Sequence, residues 1–445
     1  MAVQPRVLKG FRDYLPERMI ARMRFIRRVQ ECFERYGFLP VETPALELAE
    51  LLLTKGGDEV ARQVYRFTDS GGRDVCLRYD LTVPLARMIA QHGQALPSPF
   101  KRYQIAPAWR GEKPQRGRFR EFYQCDADIV GSDSLAADAE CLAVGCDLMA
   151  AVGIDEYRIR ISHRRILDGL AASMGVDGAD AHALYRAVDK IDKIGVEGAV
   201  AEIRKFAPEV AADALKGFLD LNGVIDSLDP LVALDETKRL FGGRGAGAEG
   251  VAELRGMIER AAEMGVAAGH LAIDISIARG MDYYTGAIFE TIAQRMPELG
   301  SVMSGGRYDG LIGTFSGKDV SAVGISLGLD RIFDGLAEEG ELELPRSTAK
   351  VMVTLFDDEG RAAAHALARR LREVGVAVEV PLERRALKKQ IRAADRGGVP
   401  YVAIQGPDER AKGAWNLKDL RSGEERAFDE EALIARLGER GEGVE

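Results

Sequence analysis

Residues 101–120 carry seven cations (Lys101, Arg102, Arg110, Lys113, Arg116, Arg118, Arg120) against the single acid Glu112, a local charge of +6 in a chain of formal charge −9. Arginine presents a rigid fork of donors matched to phosphate and carboxylate oxygens and stays charged when partly desolvated. Gly111, Pro114 and Gly117 interrupt any helix and mark an open loop. Residues 103–106 before it and 119–130 after it have the alternating, aromatic character of strands. A glycine-containing loop lets a polyanion approach the backbone closely, and Asp126 and Asp128 on the second strand add acceptors. Cations beside acceptors suit a zwitterionic substrate held next to a nucleotide. Charge alone also leaves open a solvated basic hairpin.

Four further stretches combine chemistry-bearing residues. Arg78, Tyr79, Asp80, Leu81 and Thr82 follow a strand and precede an apolar helix. Their carboxylate and hydroxyl suit an ammonium group, or equally the N-terminus of that helix. In residues 279–284, Arg279, a glycine and an acid precede Tyr283 and Tyr284. Paired tyrosines alone read as sheet packing, but in this company they read as a pocket wall. Ser304, Gly305, Gly306 and Arg307 lead to Tyr308, placed to close such a pocket. Residues 322–332 contain Gly324 and Gly328 and end a strand–helix pattern on Arg331; taken alone, that pattern specifies little.

At 445 residues the chain predicts two or three domains. An apolar fraction of 46% with 29% charged residues describes a soluble globular protein. No stretch reaches the roughly 18 apolar residues of a membrane span. The first residues hold no apolar signal core, so a cytoplasmic location is expected. Five scattered cysteines without a Cys-x-x-Cys pair, and five isolated histidines, predict reduced thiols and no protein-bound zinc. The acidic balance confines any RNA contact to local basic patches.

Met19, Met23, Ile26, Val29, Phe33 and Tyr36 predict an amphipathic helix ending at Gly37, followed by a short proline-edged strand. Two strands around residues 65–69 and 75–82 meet at Gly71 and Gly72, and residues 83–92 predict a helix. Residues 165–268 change to an alanine-rich texture of short helices, an expected helical insertion. Strand alternation resumes over residues 271–277. Residues 336–348 read as an acidic linker, and the remainder alternates strands and helices in α/β fashion. A helix expected over residues 385–394 would place Arg384, Lys388, Arg392 and Arg396 on one face, and Arg385 and Lys389 on a neighbouring one, for RNA or simply for solvent.

The order Arg110–Gly–Glu112, loop, Arg118–Phe–Arg120, Phe122–Tyr–Gln124 resembles motif 2 of class II aminoacyl-tRNA synthetases, and the details most resemble the histidyl-tRNA synthetases. The segment ending at Pro44 resembles motif 1, and residues 322–332 resemble motif 3. Residues 279–284 resemble the signature that sets the histidine enzymes apart, and residues 304–311 resemble their second histidine segment. Residues 78–84 resemble a separate motif of the histidyl-tRNA synthetases, matching one of its two forms, the other having Pro-Glu-Gly in place of Tyr79, Asp80 and Leu81. The resemblance implies a mixed α/β (α+β) fold: an antiparallel-sheet catalytic domain over 1–335 with the insertion at 165–268, the linker 336–348, and an anticodon-binding domain over 349–445. It implies ligation of L-histidine to tRNA(His) through an adenylate, with ATP and Mg2+, by a homodimer.

By the same resemblance Arg110 bridges the amino-acid carboxylate and the α-phosphate, and Arg279 reaches that phosphate from the other side. Arg331 and Arg118 hold the outer phosphates, Phe122 stacks on adenine, and Glu112 positions the loop or the adenine amino group. Asp80, Leu81, Thr82 and Gln124 hold the ammonium side, while Asp128, Tyr283, Tyr284 and Tyr308 surround the imidazole. Asp128 is shorter than the glutamate of many family members. Gln115 and Arg116 are placed to meet the acceptor end of tRNA. Two other readings remain: a silent paralogue regulating the first enzyme of histidine biosynthesis, and a prolyl or threonyl class II enzyme. The first tends to lose the active-site arginines and the C-terminal domain, and the second leaves residues 279–284 unexplained.

Overall fold

The computed structural model describes residues 3–53, 57–176, 178–205, 212–278 and 284–439. The chain divides into two compact units, one of Met1–Arg12 with Ile26–Glu339 and one of Asp13–Phe25 with Gly340–Glu445. Helix α1 (Pro16–Arg35) contributes to both. Its apolar stripe is only partly buried: Val29 and Phe33 are sealed, whereas Met19 and Met23 are exposed.

The first unit is organised by an eight-stranded sheet. After β1 (Leu39–Pro40), a small antiparallel sheet follows with β2 (Leu46–Leu48), β3 (Arg66–Thr68) and β4 (Asp74–Leu77), in the order β2-β4-β3. The short helices α2 (Ala49–Leu53) and α3 (Gly57–Gln63) lie between β2 and β3 in sequence, and α4 (Thr82–His92) follows β4. Then come the long strands β5 (Phe100–Trp109) and β6 (Glu121–Val130), the helix α5 (Leu135–Ala151) and β7 (Tyr157–His163). Among the described residues six helices follow in the stretch expected as an insertion: α6 (Arg164–Ser173), α7 (Gly178–Val188), α8 (Ile191–Arg204), α9 (Ala212–Ile225), α10 (Pro230–Leu240) and α11 (Gly245–Glu263). The unit closes with β8 (Leu271–Ile273), β9 (Ala287–Ala293), β10 (Ser301–Arg307), α12 (Gly310–Ser316), β11 (Ala322–Gly328) and α13 (Leu329–Glu338).

The large sheet runs β1-β5-β6-β11-β10-β9-β7-β8; its pairs are antiparallel except β1 with β5 and β7 with β8 at the edges. From Gln124 to Val130 every residue of β6 is buried, because one sheet face carries helices and the other carries the cleft described below. Helix α5 packs on β6, β10 and β11, and Ser134 caps it by accepting from the Ala136 amide at 3.2 Å. Leu142 and Leu148 of α5 are sealed, each contributing about 1.5–3 kcal/mol of transfer free energy. The strand expected over residues 271–277 stops at Ile273, since the next residues turn through side-chain bonds instead of continuing the ladder. Asn222 of α9 accepts from the Ile275 amide at 2.8 Å, and the Ser276 hydroxyl donates to Asp274 at 2.6 Å.

In the second unit β12 (Val351–Val353), α14 (Arg361–Glu373), β13 (Val378–Glu379), α15 (Leu387–Gly397), β14 (Tyr401–Ile404), α16 (Pro407–Ala411), β15 (Ala414–Asp419), β16 (Glu425–Asp429) and α17 (Glu430–Gly438) form a five-stranded sheet ordered β13-β12-β14-β15-β16. Strand periodicity divides its core: Ala403 joins Leu367, Trp415 and Leu433, while its neighbours Val402 and Ile404 join Ala394 and Met352. Helices thus cover both faces. Two expectations change here. Helix α13 runs to Glu338, three residues into the stretch read as linker. Arg384 and Arg385 precede α15 and so are not on its face; Arg384 pairs with Asp358 at 3.3 Å. Lys388, Lys389, Arg392 and Arg396 remain exposed on the helix.

Candidate active site

A cleft of about 360 Å³ opens on the large sheet, lined by β5–β6 hairpin residues, by β9, β10 and β11, and by the turn before α4. The β5–β6 pairing carries Arg110 opposite Arg120 at the stem, where the Arg110 amide donates to the Arg120 carbonyl at 2.9 Å. The loop tip is closed by reciprocal backbone bonds between Gln115 and Arg118 of 3.1 and 2.9 Å, and Gly117 there adopts φ +66°, which favours glycine.

At this end of the cleft Arg110 is held by the Tyr79 carbonyl at 3.2 Å, with its guanidinium 4.3 Å from the Tyr79 ring and 5.0 Å from the Phe122 ring. Arg118, Glu112 and Arg331 also line the cleft, and Arg331 donates to the Ser301 carbonyl. Arg331 sits in the first turn of α13, and its neighbour Asp330 is locked on both oxygens: one accepts from the Tyr123 amide at 2.6 Å, the other from Arg12 at 2.8 Å. Arg12 also bonds Asp334 at 2.5 Å and lies 3.7 Å over the Phe119 ring. The entry segment therefore ties the strand that carries Phe122 to the helix that carries Arg331.

Six residues further along β6, about 20 Å away, the cleft changes character. Asp128 takes a hydrogen bond from the Tyr308 hydroxyl and stands 2.6 Å from Nη2 of Arg102, which is fully buried. The Arg102 nitrogens have no aligned acceptor, so this contact is an ion pair held by charge. Asp126 and Asp80 complete a group of three carboxylates lining the cleft. Burial raises the Asp126 carboxyl to about 7, against the pull of Arg102 and with a push from Asp128. Burial also raises Asp128, with Arg102 and the Tyr308 bond opposing it. Asp80 is raised by desolvation as well, though the Val83 amide at 3.1 Å and Arg110 favour its charged form. Gln124 reaches the Ser326 hydroxyl at 2.9 Å, and Thr82 and Tyr284 line the cleft. The floor requires Gly324: a Cβ there would fall 2.0 Å from Asp128 Oδ1.

The cleft thus gathers Asp80, Thr82, Arg110, Glu112, Arg118, Phe122, Gln124, Asp128, Tyr284, Tyr308 and Arg331. Leu81 does not line it; the side chain is fully buried in the core just before α4. Arg279 and Tyr283 lie outside the described residues. Gln115 and Arg116 sit at the loop tip, and Arg116 is paired with Glu338 at 2.8 Å and with Glu298 at 3.4 Å. The basic run is not one patch. Lys101 bonds Glu140 and the Tyr36 carbonyl, Arg102 is buried, and Arg120 donates to the carbonyls of Glu112 and Lys9. Of the seven cations, Arg110 and Arg118 line the cleft. Sequence reasoning assigned nothing to Arg102, Arg12, Asp330 or Ser326. A signal for Arg102 existed: extending the hairpin register from its Arg110–Arg120 stem puts Arg102 opposite Asp128.

A mostly antiparallel sheet bearing arginines at one end of a cleft and buried carboxylates at the other defines the core of a class II aminoacyl-tRNA synthetase. The family model described as histidyl-tRNA synthetase matches residues 10–332, and that of the anticodon binding domain matches residues 350–440. The chain is 45% identical over 424 residues to the histidine–tRNA ligase of Rhodopirellula baltica, covering 95% of each chain. It is 41% identical over 426 residues to that of Wolinella succinogenes, covering 95% of this chain and 96% of the relative. The crystal structure of histidyl-tRNA synthetase from Nostoc sp. PCC 7120 superposes with a TM-score of 0.87 at 33% identity, covering 98% of this chain and 99% of the other. The chain belongs to the histidyl-tRNA synthetase family.

Proposed function

We propose that this chain activates L-histidine with ATP and transfers it to tRNA(His), working as a homodimer in the cytoplasm. The observation that carries the reading is one cleft with cations and an aromatic ring at one end and a buried, acid-rich pocket closed by Tyr308 at the other. Adenylate formation needs little acid–base chemistry. The amino-acid carboxylate is ionised at neutral pH and attacks the α-phosphorus in line, so the protein's task is to align two anions and stabilise charge on the phosphoryl oxygens. Arg110 bridges the carboxylate and the α-phosphate, with Arg279 acting on the same phosphate. Arg118 and Arg331 take the outer phosphates, Phe122 receives the adenine, and Glu112 orients the loop or the adenine amino group.

At the other end Asp80, Thr82 and Gln124 accept from the ammonium, and Asp128 accepts from a ring N–H between Tyr284 and Tyr308, with Tyr283 alongside. A pocket built on polar acceptors penalises analogues that lack the donor, because its buried groups are then left unpaired. Magnesium accompanies ATP. It retains phosphate oxygens and water as most of its ligands, so the cleft carboxylates Glu112 and Glu290 fit an ion carried in with the nucleotide. Among the described residues no cluster of three or more His, Cys, Asp or Glu is grouped for a metal. In the transfer step the terminal ribose hydroxyl of tRNA attacks the adenylate carbonyl, with Gln115 and Arg116 contacting the acceptor end. The C-terminal unit reads the anticodon. ATP–pyrophosphate exchange with each amino acid in turn tests the reading: exchange with histidine supports it, and exchange with another amino acid alone overturns the pocket assignment.

A further inference from the structure

Asp126 has no role in the reaction as derived so far, yet it is buried, lines the cleft and has an oxygen, Oδ1, without a hydrogen-bond partner. Two positions away on the same face of β6, Gln124 likewise leaves Oε1 without a partner. Ser326 of β11 joins them: its hydroxyl accepts from Gln124 Nε2 at 2.9 Å, and it is the register partner of Asp126. Burying unsatisfied acceptors is costly, and a donor brought by the substrate accounts for a pair kept in the cleft.

We propose that Asp126, steadied by Ser326, is a further substrate-binding residue of this cleft: its free carboxylate oxygen and that of the Gln124 side chain form an acceptor pair for the α-ammonium group of the amino-acid substrate. The inference rests on the reading of the cleft as an amino-acid-activating site. Asp128 is engaged by Tyr308 on one oxygen and by the Arg102 charge on the other, whereas Asp80 accepts from the Val83 amide on one oxygen, so Asp126 joins Asp80 as a carboxylate with an oxygen left for a cation. The groups acting on it are Arg102 and Gln104 from β5, Asp128 beside it on β6, Ser326 from β11, Asp80 from the turn before α4, and Arg78 and Tyr308 further off. With three carboxylates converging on the buried Arg102, the empty pocket favours a proton on Asp126, whose carboxyl is raised to about 7. An arriving ammonium favours the ionised form, so the proton leaves to solvent as the substrate binds.

The test titrates the full chain calorimetrically at pH 7 in two buffers of different protonation enthalpy. The ligands are histidine, histidinol (which keeps the ammonium) and imidazolepropionate (which lacks it). The ammonium lowers the imidazole pKa of histidine and histidinol below that of imidazolepropionate, so each free ligand is titrated separately and its own imidazole contribution is subtracted. Histidine and histidinol are expected to release up to about half a proton more than imidazolepropionate, the fraction held near a pKa of about 7. Asp126→Asn is expected to abolish that difference and to raise the histidine KM at least tenfold in pyrophosphate exchange, leaving kcat and the ATP KM within twofold. Ser326→Ala is expected to shift KM the same way by less. Equal proton release with all three ligands, or a histidine KM within twofold of the parent in Asp126→Asn, would overturn the assignment. The ligand comparison on the parent protein decides even if the variant does not fold. A parent protein that neither binds histidine nor exchanges with it overturns the amino-acid reading of the cleft, a failure separate from that of Asp126.

Discussion

Replacing Arg102 with methionine removes the buried cation paired with Asp128 and acting on Asp126, while preserving much of its volume. Nη2 lies 2.6 Å from Asp128 Oδ2 and both residues are buried, so solvent does little to replace the lost charge. Two unit charges about 4 Å apart attract by about 4 kcal/mol at an effective dielectric of 20, and breaking a buried pair typically costs about 3–5 kcal/mol. Taking about 2 °C per kcal/mol for a unit of this size, the catalytic unit should melt about 6–10 °C lower at pH 7.5 by scanning calorimetry. The deficit should shrink at pH 5. The folded carboxyls of Asp126 and Asp128 are already raised by burial, rise further without Arg102, and are neutralised as pH falls. Adding Asp128→Asn should restore at least half of the loss at pH 7.5. A melting change under 3 °C, or an equal change at both pH values, would refute the view that Arg102 acts by countercharge.

Three further outcomes follow from the same pocket. Because the Asp126 carboxyl sits at about 7 in the folded chain, against an unperturbed value near 3.9, its bound proton stabilises the fold fully below about pH 4, and this contribution is lost as pH rises through 7. Asp126→Asn should therefore melt higher, relative to the parent, at pH 8 than at pH 5 in scans without ligand. Gly324→Ala should lose at least 2 kcal/mol of stability or at least tenfold in histidine KM, because its Cβ would sit 2.0 Å from Asp128 Oδ1 and 2.8 Å from the Ala127 carbonyl oxygen, groups that cannot yield freely. Arg116→Ala should leave pyrophosphate exchange within twofold and slow tRNA charging, measured with labelled histidine. Its exposed pairs with Glu338 and Glu298 are worth little to stability.

Much of the site is legible in the sequence because it rests on local chain chemistry. The loop residues Gly111, Pro114 and Gly117 mark the hairpin, and strand alternation then puts Phe122, Gln124 and Asp128 on one face. The pairing of Asp128 with Tyr308 joins residues 180 positions apart, and only their separate motif contexts anticipated it. Charge counting failed where it ignored which face a residue takes. Arg102 adds to a basic run on paper, yet in the fold it is a buried counterion. The tie from Arg12 to Asp330 and Asp334 depends on contacts more than 300 residues apart, which no periodicity encodes. Strand ends were least legible. Residues 274–277 keep an alternating pattern but spend their backbone and side-chain bonds on Asn222 and on one another. In α15 the run of basic residues suggested a start two residues early, before the turn that precedes Leu387.

The most direct test of the central claim is histidine-dependent ATP–pyrophosphate exchange by the full chain without tRNA, run beside Arg110→Ala. Exchange with histidine and with no other amino acid, falling about 10²–10³-fold in the variant, is the predicted result. Histidine binding without exchange, or exchange unchanged by the loss of Arg110, would contradict it.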